Sequence, residues 1–192
     1  IMDTFAAMAL SSLPADRRVL YEKPRKSNSH IIDRQMLCRI IGVGLLFFIL
    51  LAGLWQLLWH TNISSVNDLI SLDSIRLFFS DFTNMEKVKP HLSGYELGVF
   101  FSIFVMLQFW NLFNAKYFRT GRSLIQDLLV FSTNSKKVKE SYSAGFMWIV
   151  LVILVGQIMI VTYAGGMFNV SPLSISDWCW VLLITSPVLI VR

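Results

Sequence analysis

Three stretches without one charged residue dominate this chain: Ile40–Trp59 is twenty residues long, Leu97–Ala115 nineteen and Ser141–Ser176 thirty-six. A helix needs about 20 apolar residues to cross the ~30 Å hydrocarbon layer. In hydrocarbon, every backbone polar group must find its partner within the protein. Such runs predict transmembrane helices. Composition agrees, because only 15% of the 192 residues are charged and 55% are hydrophobic, whereas soluble domains carry about 25% charged residues. The mean hydropathy of +0.59 points the same way. A water-soluble globule and a disordered tail are excluded, and two cysteines cannot staple a secreted domain.

The predicted fold is all-α, a polytopic bundle of about five membrane helices whose first and last members are cut short. Membrane segments are expected at 1–13, 35–59, 95–117, 141–164 and 175–192, with loops at 14–34, 60–94, 118–140 and 165–174. The last helix follows the breakers Gly165, Gly166, Asn169 and Pro172. Both chain ends fall in apolar sequence, and Asp3 stands where a signal peptide would want basic residues. The chain is therefore expected to be a piece of a longer one.

Charge sets the orientation. Loop 14–34 and its flanks hold Arg17, Arg18, Lys23, Arg25, Lys26, Arg34 and Arg39. Loop 118–140 and its flank hold Lys116, Arg119, Arg122, Lys136, Lys137 and Lys139, so thirteen of seventeen basic residues fall in two alternating loops. The positive-inside rule makes those two cytoplasmic. Trp55, Trp59, Trp178 and Trp180 then lie at the outer interface, as aromatic belts do. The net charge of +5 is a topology signal, and no nucleic-acid partner is expected. In the outer loop, the apolar residues from Leu69 to Phe79 recur at helical spacing and predict a short amphipathic piece at the surface.

Asp3 stands in an otherwise apolar helix, IMDTFAAMAL, at what should be mid-membrane depth. A carboxylate there costs at least about 2.5–3.5 kcal/mol, so intramembrane acids line ion paths or bundle interiors. The alternative is a helix outside the membrane with Asp3 as its cap. Thr4, Ala6, Ala7 and Ala9 beside it permit close helix packing. Gln108, Asn111 and Asn114 recur every three residues, a polar stripe on one helix face. Amides can hydrogen-bond between helices or ligate cations through their oxygens.

His30, His60 and His91 have no metal-site spacing, and Cys38 and Cys179 fall on opposite sides of the membrane. Asn62-Ile-Ser64 and Asn169-Val-Ser171 match the glycosylation pattern on the outer side. Neither a GxxxxGK[ST] nor a GxGxxG motif is present, so nothing in the chain binds or hydrolyses ATP.

IMDTFAAMALSSLPAD followed by EKPRKSNSHIIDRQMLCRIIG resembles the sixth membrane helix and next cytoplasmic loop of P-type calcium-transporting ATPases, most closely the plasma-membrane type. Met2, Asp3, Thr4, Phe5 and Ala6 match the family pattern, as do Lys23, Pro24, Ile32, Arg34, Met36 and Gly42. FVMLQFWNLFNAKYF is similar to the eighth helix, and VGQIMIVTYAGGMFNVSPLSISDW to the ninth running into the tenth.

That resemblance implies the membrane part of an ATP-driven calcium export pump in the plasma membrane. It implies that Asp3 is the sixth-helix carboxylate that ligates calcium, and that Gln108 holds a position occupied by a glutamate ligand in the two-site sarcoplasmic type. A neutral amide at Gln108 implies one calcium site. Lys23, Pro24 and Arg25 would face the phosphorylation domain. The implied partners are membrane lipid, the upstream membrane helices and the cytoplasmic ATPase domains, with Mg-ATP used only by the full-length protein. This chain alone is expected to be inactive. Two alternatives remain open at this point: the same family carrying another cation, and an independent small membrane channel or scaffold.

Overall fold

The computed structural model describes residues 2–13, 21, 32–71, 73, 76, 79, 89–117, 144–163 and 165–190. Their elements are helices α1 (Met2–Ser11), α2 (Arg34–His60), α3 (Val66–Ile70), α4 (Gly94–Lys116), α5 (Ala144–Tyr163), α6 (Gly165–Phe168) and α7 (Ile175–Thr185). A 3₁₀ helix, Ser186–Ile190, follows α7 directly. Among the described residues the architecture is an all-α bundle, and three helices, α2, α4 and α5, are long and apolar enough to cross a membrane. The stretch Ile175–Ile190 is apolar but shorter.

The sequence explains where these elements start and stop. Asp33 caps α2 by accepting the Arg34 backbone N–H at 2.7 Å. Helices α3, α4 and α7 begin with capping boxes: Ser65 with Asp68, Ser93 with Glu96, and Ser174 with Asp177. In each box the acid accepts the serine's own N–H, and at Ser93 and Ser174 the serine hydroxyl accepts the acid's N–H in return. The α-helix of the last segment ends at Thr185, two residues before Pro187. Proline supplies no N–H for the next backbone bond and disfavours α geometry before it. The chain tightens into 3₁₀ there.

Helix α4 is the centre of the packing. It contacts α2, α5, α7 and the 3₁₀ turn, while α1 packs chiefly on α5. The buried core draws on α4 through Val99, Ile103, Met106, Phe109 and Phe113, and on α5 through Phe146, Val150, Ile153 and Val161. Close approach at the first turns of α4 depends on glycine. Ser171 N–H donates to the Gly94 carbonyl at 2.9 Å, and a Cβ at Gly98 would lie 2.9 Å from the Ser171 carbonyl oxygen.

Of the amphipathic piece expected over Leu69 to Phe79, α3 (Val66–Ile70) contains the first two apolar residues, Leu69 and Ile70. Leu72, Ile75, Leu77 and Phe78 lie outside the described residues.

Candidate functional site

Helices α1, α2 and α4 line a half-open cavity of about 320 Å³, bounded by Ala6, Leu10, Phe47, Gln108, Asn111, Leu112 and Ala115. Its walls are hydrocarbon apart from the two amides, Gln108 and Asn111, which are both half-buried. Each carries one carbonyl oxygen able to ligate a hard cation and one NH₂ able to donate. Along α1, Asp3 precedes Ala6 by three residues and Leu10 by seven, the spacing of a single helix face. Small Ala6 leaves the room that a larger side chain would fill.

The predicted amide stripe divides. Gln108 and Asn111 reach the cavity, whereas Asn114 is buried and donates its Nδ2 to the Val188 carbonyl at 2.7 Å. That carbonyl belongs to the 3₁₀ turn at the chain's last described helix. Asn114 therefore ties α4 to the end of α7. Two further bonds work alongside it: Trp110 Nε1 donates to Thr185 Oγ1 at 2.9 Å, and Arg39 Nη2 donates to the Asn114 backbone carbonyl at 3.2 Å.

Sequence reasoning missed a polar layer at the opposite end of α4. Glu96 and Asp177 are buried, and each acid serves more than its own capping box. Glu96 Oε1 pairs with Lys89 Nζ at 2.5 Å and accepts the Ile63 N–H at 3.4 Å. Asp177 Oδ1 accepts the Val66 N–H at 3.1 Å. Lys89 also donates to the Thr61 carbonyl. The segment Thr61–Val66 is thereby fastened across the N-termini of α4 and α7. The signal was present, since Ser-x-x-Glu or Ser-x-x-Asp directly before an apolar run is the capping-box pattern.

At the exposed rim of this layer, Asp68 accepts from the Ser64 hydroxyl at 2.9 Å and from the Ser64 and Ser65 N–H groups at 3.1 and 2.9 Å. The Ser64 hydroxyl bond, followed by these backbone bonds, holds its carboxyl below the usual value of 3.8.

Other candidates carry no site. Among the described residues no group of His, Cys, Asp and Glu could hold a metal ion, and Cys38 and Cys179 are free and exposed. Lys23, Pro24 and Arg25, expected to form the coupling loop, lie outside the described residues.

Comparison with known proteins decides the family. The family model described as "Cation transporting ATPase, C-terminus" matches residues 1–192, the whole chain. The chain belongs to that family. Its similar relatives include plasma membrane calcium-transporting ATPase 1 of Oryctolagus cuniculus, 30% identical over 185 residues and 94% of this chain. The type 3 protein of Homo sapiens is also 30% identical, over 96% of the chain, and the type 1 protein of Gallus gallus is 29% identical over 94%. The chain spans only about 12% of the length of these relatives. The independent-scaffold reading falls away.

Proposed function

We propose that this chain is the C-terminal membrane portion of an ATP-driven calcium export pump of the plasma membrane, and that it supplies part of the ion site. The observation that carries the reading is the cavity in which Gln108 and Asn111 of α4 face Ala6 and Leu10 of α1, on the helix side to which Asp3 belongs by register. A carboxylate and two amide oxygens are the hard donors that calcium takes, but it needs six to eight of them. The remaining ligands come from membrane helices outside this chain. Calcium is the cargo, and Mg-ATP is consumed by cytoplasmic domains that the chain does not contain.

In this reading Asp3 contributes the anionic oxygen, and Gln108 and Asn111 orient neutral donors around it. Lys23, Pro24 and Arg25 lie on the cytoplasmic side and meet the phosphorylation domain. The layer around Glu96 and Asp177 faces outward, as the distribution of basic residues requires. Calcium rather than another cation is favoured by the relatives, each of which is a plasma membrane calcium-transporting ATPase.

The test is Asp3→Asn in the full-length protein. Calcium-dependent phosphorylation by ATP should be lost, because one hard anionic ligand leaves a site that must outcompete water. Phosphorylation from inorganic phosphate, which needs no calcium, should persist. Unchanged calcium affinity in the variant would make Asp3 a packing residue. The isolated 192-residue chain should hydrolyse no ATP, and saturable micromolar calcium binding to it would overturn the divided site.

A further inference from the structure

Three hydrogen bonds fasten the C-terminal half of α4 to its neighbours. Trp110 Nε1 donates to Thr185 Oγ1 of α7 at 2.9 Å, and Asn114 Nδ2 donates to the Val188 carbonyl of the 3₁₀ turn at 2.7 Å. Thr185 gives its own proton to the Val181 carbonyl at 2.7 Å, which leaves its oxygen to accept from Trp110. Arg39 Nη2 of α2 donates at 3.2 Å to the Asn114 backbone carbonyl, one of the last four that α4 cannot satisfy within itself. Thr185 and Asn114 are buried.

These bonds and the cavity lie on different sides of one helix. Trp110 and Asn114 stand four residues apart and share a face. Gln108, Asn111, Leu112 and Ala115 share another, which bounds the cavity. At about 100° per residue the two faces are centred about 130° apart. Apolarity selects no rotation for α4, because hydrophobic residues lie on every side of it and lipid tails are as apolar as leucine. Glu96 holds the other end of the helix, bonded to Lys89, but at about 18 Å along the axis from Gln108. A turn of one residue would put Phe109 and Leu112 where Gln108 and Asn111 stand. Directional bonds close to the cavity are what prevent it.

We propose that Trp110, Asn114 and Thr185 are positioning residues whose bonds set the rotation at which α4 offers the Gln108 and Asn111 oxygens to the cavity. They act through the two amides. The proposal rests on the reading of that cavity as part of the calcium site.

The full-length protein tests it with a pair of changes at one position. Thr185→Val keeps the shape and removes the oxygen that Trp110 meets; Thr185→Ser keeps the oxygen and removes a methyl group. A packing role makes serine the worse change, and a positioning role makes valine the worse. Thr185→Val should raise the calcium concentration for half-maximal phosphorylation by ATP about fivefold, the equivalent of one hydrogen bond. Turnover at saturating calcium and phosphorylation from inorganic phosphate should persist, and Thr185→Ser should match wild type. Trp110→Phe, which removes the donor, should shift calcium as Thr185→Val does. Rotation is read separately from Leu10→Cys with Ala115→Cys, both in the cavity wall, in protein lacking other reactive cysteines. A short bifunctional thiol reagent should cross-link the pair, and more slowly once Thr185→Val or Trp110→Phe is added. Unchanged cross-linking in both would overturn the proposal, as would a Thr185→Ser protein as weak for calcium as Thr185→Val. Slower cross-linking with unchanged calcium activation would uphold the positioning role and remove the cavity from the ion site.

Discussion

Helices α2 and α4 are both long enough to span a membrane, yet they stand in opposite relation to their own hydropathy. The most apolar window of α2 has a mean hydropathy of 2.5 and none of it is buried; that of α4 has 1.5 and 61% of it is buried. In a soluble protein the ranking would be reversed. Lipid tails are as apolar as leucine, so no hydrophobic drive pulls α2 inward. Ile41, Leu45 and Phe48 can stay exposed to hydrocarbon. What needs the interior is polar: Glu96, Ser102 and Asn114 on α4 are all buried, and each would be costly against lipid. The less hydrophobic helix is the one around which the bundle assembles.

That contrast can be broken most severely at Gly98. Gly98→Val would drive a side chain toward the Ser171 carbonyl, 2.9 Å from the new Cβ. Overpacking against backbone should cost about 3 kcal/mol, seen as loss of monodisperse full-length protein in detergent size-exclusion chromatography. Asn114→Leu should come next. It keeps the bulk but orphans the Val188 carbonyl, and should lower thermal stability by about 2 kcal/mol. Phe48→Ala on α2 removes a larger side chain that is 70% exposed, and should change stability by less than about 0.5 kcal/mol. If Phe48→Ala proves as costly as Asn114→Leu in the same melting assay, the comparison fails and α2 is covered by protein.

The smallest effect should come from Asp68, outside the spanning helices. Its folded carboxyl titrates below the ordinary 3.8, chiefly because of the Ser64 hydroxyl. Its contribution is therefore present above that ordinary value and is lost as pH falls through the lower folded one. Ser64→Ala should raise the folded value and flatten the loss of stability as pH falls below the ordinary 3.8. A wild-type acid limb identical to that of Ser64→Ala would show that the hydroxyl contributes nothing there.

Much of the architecture was legible in the charge-free runs. Length and hydropathy called for helices through Ile40–Trp59 and Leu97–Ala115, and α2 and α4 contain them. The break near Pro187 was not anticipated, because a proline late in an apolar run reads as tolerated until the chain beyond it is seen to tighten. Gln108, Asn111 and Asn114 were read as one stripe because period alone cannot tell which neighbour each amide meets. In the folded chain two of them line a cavity and one closes the 3₁₀ end. The capping acids Glu96 and Asp177 each stand three residues after a serine, and hydropathy alone does not separate such a pair from an ordinary loop charge.

Sequence alone determined that this chain lies in a membrane as helices, since uncharged runs of that length allow no other way to satisfy the backbone. It also carried the family, through Met2–Ala6 and the amide spacing of α4. Which helix is central, which amide faces a cavity, and which buried groups lack partners were decided only by tertiary packing. Those outcomes depend on what each side chain meets on another helix. In lipid that is a matter of polar pairing and close contact, which a hydropathy pattern does not encode.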